Sequence, residues 1–333
     1  MLSVVAQSSF ERALEAAVTR YDSTAPITAM IRYHFGYAAG GCDQRGKRLR
    51  PMLLLTVAQE EGGSIESALD AACAIEILHN YSLVHDDIED GDRVRHGRDT
   101  VWAKWGTAHG INAGDSLCAI SYLALLESDV PRPAERTVAM TRALHEANLA
   151  MCAGQGRDIA FEVESQVTMD DYIAMVTGKT AALFAAACEL GALAAGSDAS
   201  RARAYGELGR AYGLGFQIED DLLGTWGESA ATGKPVGSDL ARRKWTFPVV
   251  WALDGPASPA RDVVVERYAR HGPLSPDDVA ATIAALDALG VRNAGMLQAQ
   301  TYFDRADAVA QASAIDTGGR VRAFLAANVR RAV

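Results

Sequence analysis

The sequence is short of several things, and each shortage excludes a class. Its 333 residues include five cysteines, Cys42, Cys73, Cys118, Cys152 and Cys188. They are scattered without a CxxC spacing, which suggests neither a disulfide framework nor a zinc site. Positive charge is in deficit: 32 Lys and Arg stand against 42 Asp and Glu, a formal net charge of −10. A general nucleic-acid binder needs a cationic footprint, so none is expected as a partner. No apolar run approaches the roughly 20 residues that span a bilayer. The first stretch, MLSVVAQSSFERALEAA, turns polar too early for a signal peptide. The expectation is a cytoplasmic protein without a membrane span. Alternating, β-branched runs are scarce, and no repeat of roughly 20–50 residues is visible.

What remains is helix. The composition is 49% hydrophobic and 22% charged, enough for a sizeable core. Apolar residues recur at spacings of three and four, as in Ala68, Ala71, Ile75 and Leu78. The few prolines punctuate: Pro51 suits the first turn of a helix, and Pro131 and Pro133 lie in a linker. Polar or Gly-rich breaks near 39–46, 61–64, 127–134, 195–200, 224–238, 255–260 and 271–276 imply about ten helices, several of them long. One all-α domain over residues 1–333 is the simplest reading; a second domain starting near 255 has no composition shift to support it. A bundle of long helices places its sites in the core, on facing helices, so polar groups inside apolar helical stretches are the ones to find.

The first such group lies in LHNYSLVHDDIEDGDRVRHG. Asp86, Asp87 and Asp90 form DDxxD at the end of an apolar helix, with Asp86 and Asp90 one turn apart on one face. Two such charges about 4 Å apart repel by roughly 4 kcal/mol at an effective dielectric near 20, and both oppose the helix macrodipole. A bound cation would offset these costs; a solvated acidic helix end is the plainer alternative for this motif taken alone. An EF-hand fails on register, because Ile88 falls where an oxygen ligand belongs. Carboxylates without His or Cys favour a hard ion, Mg²⁺ first.

GFQIEDDLLGTWGE repeats the theme. Asp220 and Asp221 end a second apolar helix, with Gln217 one turn earlier on the same face. Two clusters of this kind are harder to read as solvated surface than one. If their helices are neighbours, several Mg²⁺ ions bridging a diphosphate would satisfy them. Cations that suit a diphosphate are also present: Lys47 and Arg50 in GKRLRP, then Arg93, Arg95 and Arg98 after the first cluster, Lys179 in TGKT, and Lys234 and Lys244 further on. Any one of these, taken singly, reads first as solvated surface. TGKT is not a P-loop, since Ile173 occupies the position where that motif needs glycine.

These motifs together resemble the trans (all-E) isoprenyl diphosphate synthases of the polyprenyl synthetase family. GKRLRP, LHNYSLVHDDIED, the basic stretch, NAGD, GQGRD, GKT, GFQIEDD and GKPVGSD…KWTFP run in the family's order across roughly two thirds of the chain, residues 46–248. Each is weak alone; the ordered set is specific. The resemblance implies an isoprenoid-synthase-type helical bundle around a central cavity, usually a homodimer. It implies Mg²⁺-dependent head-to-tail condensation of isopentenyl diphosphate with an allylic diphosphate (dimethylallyl, geranyl or farnesyl), with three Mg²⁺ ions when diphosphate is bound.

Carried over position by position, the resemblance makes Asp86, Asp87, Asp90, Asp220 and Asp221 metal-site residues, with Asp86, Asp90 and Asp220 as direct ligands. Lys47, Arg50 and His79 match the isopentenyl diphosphate site. Arg95, Lys179 and Lys234 match groups that hold the allylic diphosphate. Gln155, Asp158, Thr180 and Gln217 match polar positions of the reaction centre, with Gln155 counted on the allylic side and Lys179, Thr180 and Gln217 as catalytic. Lys244 matches a cation near the second metal motif. An aromatic five residues before DDxxD tends in the family to floor the product pocket. Tyr81, with Ser82 beside it, therefore points to a C20 product, with C15 close behind; a plain core position is the other reading of Tyr81.

The chain departs from the family pattern twice. His96 stands where a second arginine normally holds isopentenyl diphosphate, and neutral imidazole cannot make a guanidinium's bidentate contacts; Arg93 or Arg98 is the candidate to compensate. Gly224 replaces the last aspartate of the second motif, with Glu228 as a candidate substitute. A terpene cyclase or irregular prenyltransferase on the same scaffold is the alternative these departures support. A non-catalytic subunit of a heteromeric synthase is a third reading, disfavoured by the intact first motif.

Overall fold

A computed structural model of the chain describes residues 4–21, 26–37, 46–227, 236–270 and 272–329. It is all-α apart from one hairpin of two two-residue strands, Val94–Arg95 and Arg98–Asp99. Sixteen α-helices are present among the described residues. The excess over the sequence expectation comes largely from short helices such as Val101–Trp105 and Ser238–Ala241, which are too brief to carry a period. The long ones include Leu69–Glu89, Thr107–Leu126, Ala134–Phe161, Ala199–Trp226 and Val291–Ala312.

The chain divides into two compact units. The first comprises Met1–Asn148, Ala185–Gly206 and Ala310–Ala327. Its central element is Leu69–Glu89, which packs against Thr107–Leu126, Leu49–Glu60 and Val4–Thr19. The stripe expected on this helix proves to be burial on every side: all eight residues from Ala71 to Leu78 are buried, as a helix surrounded by others requires. Leu53, Leu54, Leu55 and Val57 of Leu49–Glu60 are fully buried beside it. Pro51 lies in the first turn of that helix, where its missing N–H costs nothing.

The second unit comprises Leu149–Phe184, Glu207–Val309 and Asn328–Val333. Its core gathers Tyr172, Leu222, Phe247, Val249, Val250, Leu286 and Val291. Thr168 starts one helix with a capping box closed by Asp171. Ser258 and Ser275 cap two others, each with proline in the first turn; these caps satisfy amide groups that the first turn leaves without partners.

The run Met169–Ala195 is continuous helix, broken in geometry only by a π-turn at Thr177–Ala181. Contrary to the sequence reading, its 27 residues are long and apolar enough to cross a membrane by length and composition. Its most apolar window is 72% buried within the protein, the signature of a core helix.

Candidate functional site

The first aspartate cluster forms where the Leu69–Glu89 helix ends. Asp90 is its C-cap, its amide donating to the Asp86 carbonyl at 2.8 Å. Asp86 and Asp90 are half-buried. Asp87 is different: only 2% exposed, it accepts a 2.7 Å bond from Arg95 Nε. Burial raises its pKa to about 6, against the pull of Arg95.

Arg95 is delivered by the hairpin. The two loop residues, His96 and Gly97, have φ of 51° and 73°, the positive values that a tight two-residue hairpin demands. His96 therefore occupies a backbone conformation that histidine tolerates better than most side chains. The arginines put forward to compensate for it are otherwise engaged. Arg98 donates to the carbonyls of Tyr33 and His34, and Arg93 lies over the Trp102 ring.

GKRLRP leads into the same unit. Arg50 and His79 meet, Nη1 to Nε2, at 3.1 Å. Burial first, then Arg50 and Arg95, drive the His79 pKa well below its usual value, so a neutral ring accepts a hydrogen bond from the arginine. Lys47 is exposed. Sequence reasoning missed Arg48, which holds this segment. Its backbone is left-handed (φ 49°). Its guanidinium lies between Glu11 at 3.1 Å and Glu76 at 2.7 Å. Glu76 also accepts from Asn80 at 3.0 Å, and Asn80 meets His34 at 3.0 Å. A lone glutamate in the apolar run AACAIEILHN was the available signal.

Tyr81 packs edge-to-face on His85, ring centroids 5.1 Å apart. Ser82 turns its hydroxyl back onto the His79 carbonyl at 2.8 Å.

The other candidates belong to the second unit. A Cβ on Gly154 would lie 2.1 Å from the Lys179 amide, and one on Gly178 would lie 2.5 Å from the Ala150 carbonyl. Only glycines let the GQGRD and TGKT backbones touch in this way. The contact sits at the π-turn and pairs Lys179 with Asp158. Gln155, one turn before Asp158, is buried. From Thr180 a chain of hydrogen bonds runs to the second motif: Thr180 donates to Gln217 Oε1 at 2.7 Å, and Gln217 Nε2 donates to Asp221 at 2.8 Å.

Asp221 also accepts from the Tyr172 hydroxyl at 2.7 Å and the Phe247 amide at 2.8 Å. Its burial raises its pKa to about 7, opposed by these donors. Asp220 beside it is exposed. Tyr172 was also missed, since its partner lies 49 residues away. Lys244 is half-buried at the entrance to helix Phe247–Asp254, and its carbonyl accepts from Tyr268. At Gly224 a Cβ would stand 2.6 Å from the Asp239 carboxylate, so the space beside the missing aspartate is already taken by another acid. Lys234 and Glu228 lie outside the described residues.

Among the described residues no three carboxylate, histidine or cysteine side chains come together as a ready cage for a metal ion. The donor chemistry nevertheless fits Mg²⁺, which is usually held by one or two carboxylates plus substrate phosphates. Asp86 and Asp90 offer such a pair. Asp87 and Asp221 are held by protein donors, which suits them to orient Asp86, Asp90 and Asp220 rather than to bind metal themselves.

The model of the family described as Polyprenyl synthetase matches residues 36–286. The (2E,6E)-farnesyl diphosphate synthase of Mycobacterium tuberculosis is 38% identical over 283 residues, 82% of this chain and 77% of that protein. The geranylgeranyl diphosphate synthase of the same organism is 39% identical over 272 residues, 80% and 76% of the two chains. The crystal structure of a polyprenyl synthetase from Streptomyces coelicolor A3(2) superposes with a TM-score of 0.85 at 33% identity, covering 97% of this chain and 96% of that one.

Proposed function

Since the chain belongs to the polyprenyl synthetase family and is a prenyltransferase, we propose that it makes a short-chain all-trans prenyl diphosphate by Mg²⁺-dependent head-to-tail condensation. Isopentenyl diphosphate is one substrate and dimethylallyl, geranyl or farnesyl diphosphate the other. The product in this reading is C20, with C15 as the alternative. The observation that carries the metal chemistry is the end of the Leu69–Glu89 helix, where Asp86 and Asp90 stand one turn apart while Arg95 withholds Asp87.

Bound Mg²⁺ supplies charge neutralisation on the departing diphosphate. Asp86, Asp90 and Asp220 hold it in this reading. Arg95, Lys179 and Lys244 bind the allylic diphosphate, and Lys47, Arg50 and neutral His79 bind isopentenyl diphosphate. When the allylic carbon–oxygen bond breaks, the carbonyl dipole of Gln217, fixed by Thr180, stabilises the carbocation. The isopentenyl double bond attacks that carbon, a new carbon–carbon bond forms, and a proton leaves to the released diphosphate. No side chain is assigned as general base. A homodimer and a cytoplasmic location complete the proposal.

The test is incubation of the purified chain with Mg²⁺, isopentenyl diphosphate and each allylic diphosphate, followed by chromatography of the dephosphorylated products. Geranylgeraniol is expected, with farnesol as the alternative. Absence of any prenyl alcohol would sink the proposal, and hydrocarbon from allylic diphosphate alone would favour a cyclase.

A further inference from the structure

The NAGD motif has no role in the chemistry above, and neither has His85, the residue before the first aspartate. The structure joins them. Gly114, within the Thr107–Leu126 helix, is buried. A Cβ at that position would stand 2.2 Å from both Cδ2 and Nε2 of the His85 ring, far inside van der Waals contact. His85 Nε2 is 3.2 Å from the Ile111 carbonyl and 3.6 Å from Asp115 Oδ1. The Cδ2–Nε2 edge of the imidazole is thus pressed against the bare backbone of the neighbouring helix. One turn earlier on the same face, Tyr81 meets that ring edge-to-face at 5.1 Å. The His85 ring is therefore in contact both with the Gly114 backbone and with the Tyr81 ring.

An aromatic side chain limits the length of a growing hydrocarbon only if it cannot swing aside when the next five-carbon unit presses on it. Tyr81 has two rotatable bonds between backbone and ring, and the His85 imidazole supports that ring edge-to-face. We propose that Gly114 and His85 are specificity-determining positions that act through Tyr81. Gly114 admits the imidazole, the imidazole backs the tyrosine, and the backed tyrosine sets where elongation ends. The proposal rests on the chain being a prenyl diphosphate synthase whose product tail reaches Tyr81. It assigns chain length to an inter-helix contact rather than to the tyrosine alone.

The experiment compares product length, read by chromatography of dephosphorylated products, in the wild-type chain and in five variants with isopentenyl and farnesyl diphosphates. Thermal melts accompany each variant to establish that it is folded. Tyr81→Ala and His85→Ala are each expected to move the main product up by at least one five-carbon unit. Because they act through one element, Tyr81→Ala/His85→Ala should match Tyr81→Ala. Gly114→Ala should shift the distribution by displacing the ring, and Gly114→Ala/His85→Ala should return it to that of His85→Ala, since no ring remains to displace. A structural role alone would lower the melt and total turnover without changing length. A wild-type product profile in His85→Ala, or additive shifts in the double variant with Tyr81, would overturn the proposal while leaving the synthase reading intact. A wild-type chain that makes no prenyl diphosphate would overturn both.

Discussion

The amide of Phe247 donates to the carboxylate of Asp221 at 2.8 Å, tying the KWTFP segment to the helix that carries the second aspartate motif. Tyr172 and Gln217 donate to the same carboxylate. Three donors around one buried acid fix the turn of helix that carries its neighbour Asp220.

Tyr172→Phe tests that arrangement. It removes one donor and leaves its acceptor buried, a change worth about 1–2 kcal/mol. Urea unfolding should show this as a lower midpoint with unchanged slope, and turnover should fall in parallel. A midpoint equal to wild type would mean that the tyrosine hydroxyl contributes nothing.

Arg48→Met should be far more damaging. It strands Glu76, whose side chain is 5% exposed, as an uncompensated buried charge, at a cost of about 3–5 kcal/mol. Arg48→Met/Glu76→Gln removes that charge and should recover part of the loss. Denaturant titrations of both variants check this; a double variant no more stable than the single would remove charge burial as the cause.

Asp86→Asn and Asp90→Asn should each lower turnover by about 100-fold or more, the scale of losing one charge-stabilising group at a reaction centre, while melting temperature changes little. Excess Mg²⁺ should partly restore rate if metal affinity is what was lost. Asp87→Asn should instead show mainly a stability loss, because its partner is Arg95. Equal losses of turnover in all three would mean that Asp87 shares the metal role.

His34 contributes to the acid branch of stability with a definite sign. Burial lowers its pKa from 6.5 to about 4, against the hydrogen bond to Asn80. The unfolded chain therefore takes up a proton first as pH falls. His34 costs no stability above about pH 6.5, progressively more down to about pH 4, and nothing further below that, on the order of 3 kcal/mol in all. His34→Gln keeps a donor for Asn80 and cannot titrate. Its free energy of unfolding should gain on wild type between pH 6.5 and 4, measured as the difference of two denaturant series. A constant difference across that range would show that His34 does not carry the acid sensitivity.

Much of the site was legible because its chemistry is local. Asp86 and Asp90 are one turn apart whatever the tertiary structure, and a fixed spacing on a helix needs no other information. Arg95 was legible as a cation near that motif but not as the partner of Asp87, because the hairpin that delivers it has strands of two residues, too short for any alternation. Arg48 was overlooked for the opposite reason: standing between Lys47 and Arg50, it resembled one more phosphate cation, and only the packing of three helices shows it turned towards two glutamates. In the fold, spacing in Ala68–Leu78 located the helix but understated its burial, since a stripe of small and large apolar residues looks the same whether polar neighbours face water or other helices. Met169–Ala195 shows the limit of composition, because hydropathy counts apolar residues without knowing what they touch.

Glu11 belongs to the first helix of the chain, Val4–Thr19, yet one of its carboxylate oxygens lies 3.1 Å from Arg48, next door to the segment read as gripping isopentenyl diphosphate. The amino-terminal helix is therefore no disposable appendage. A truncation that begins after it would leave the guanidinium one counter-charge short, and would report a weakened substrate grip that belongs to the cut rather than to the enzyme.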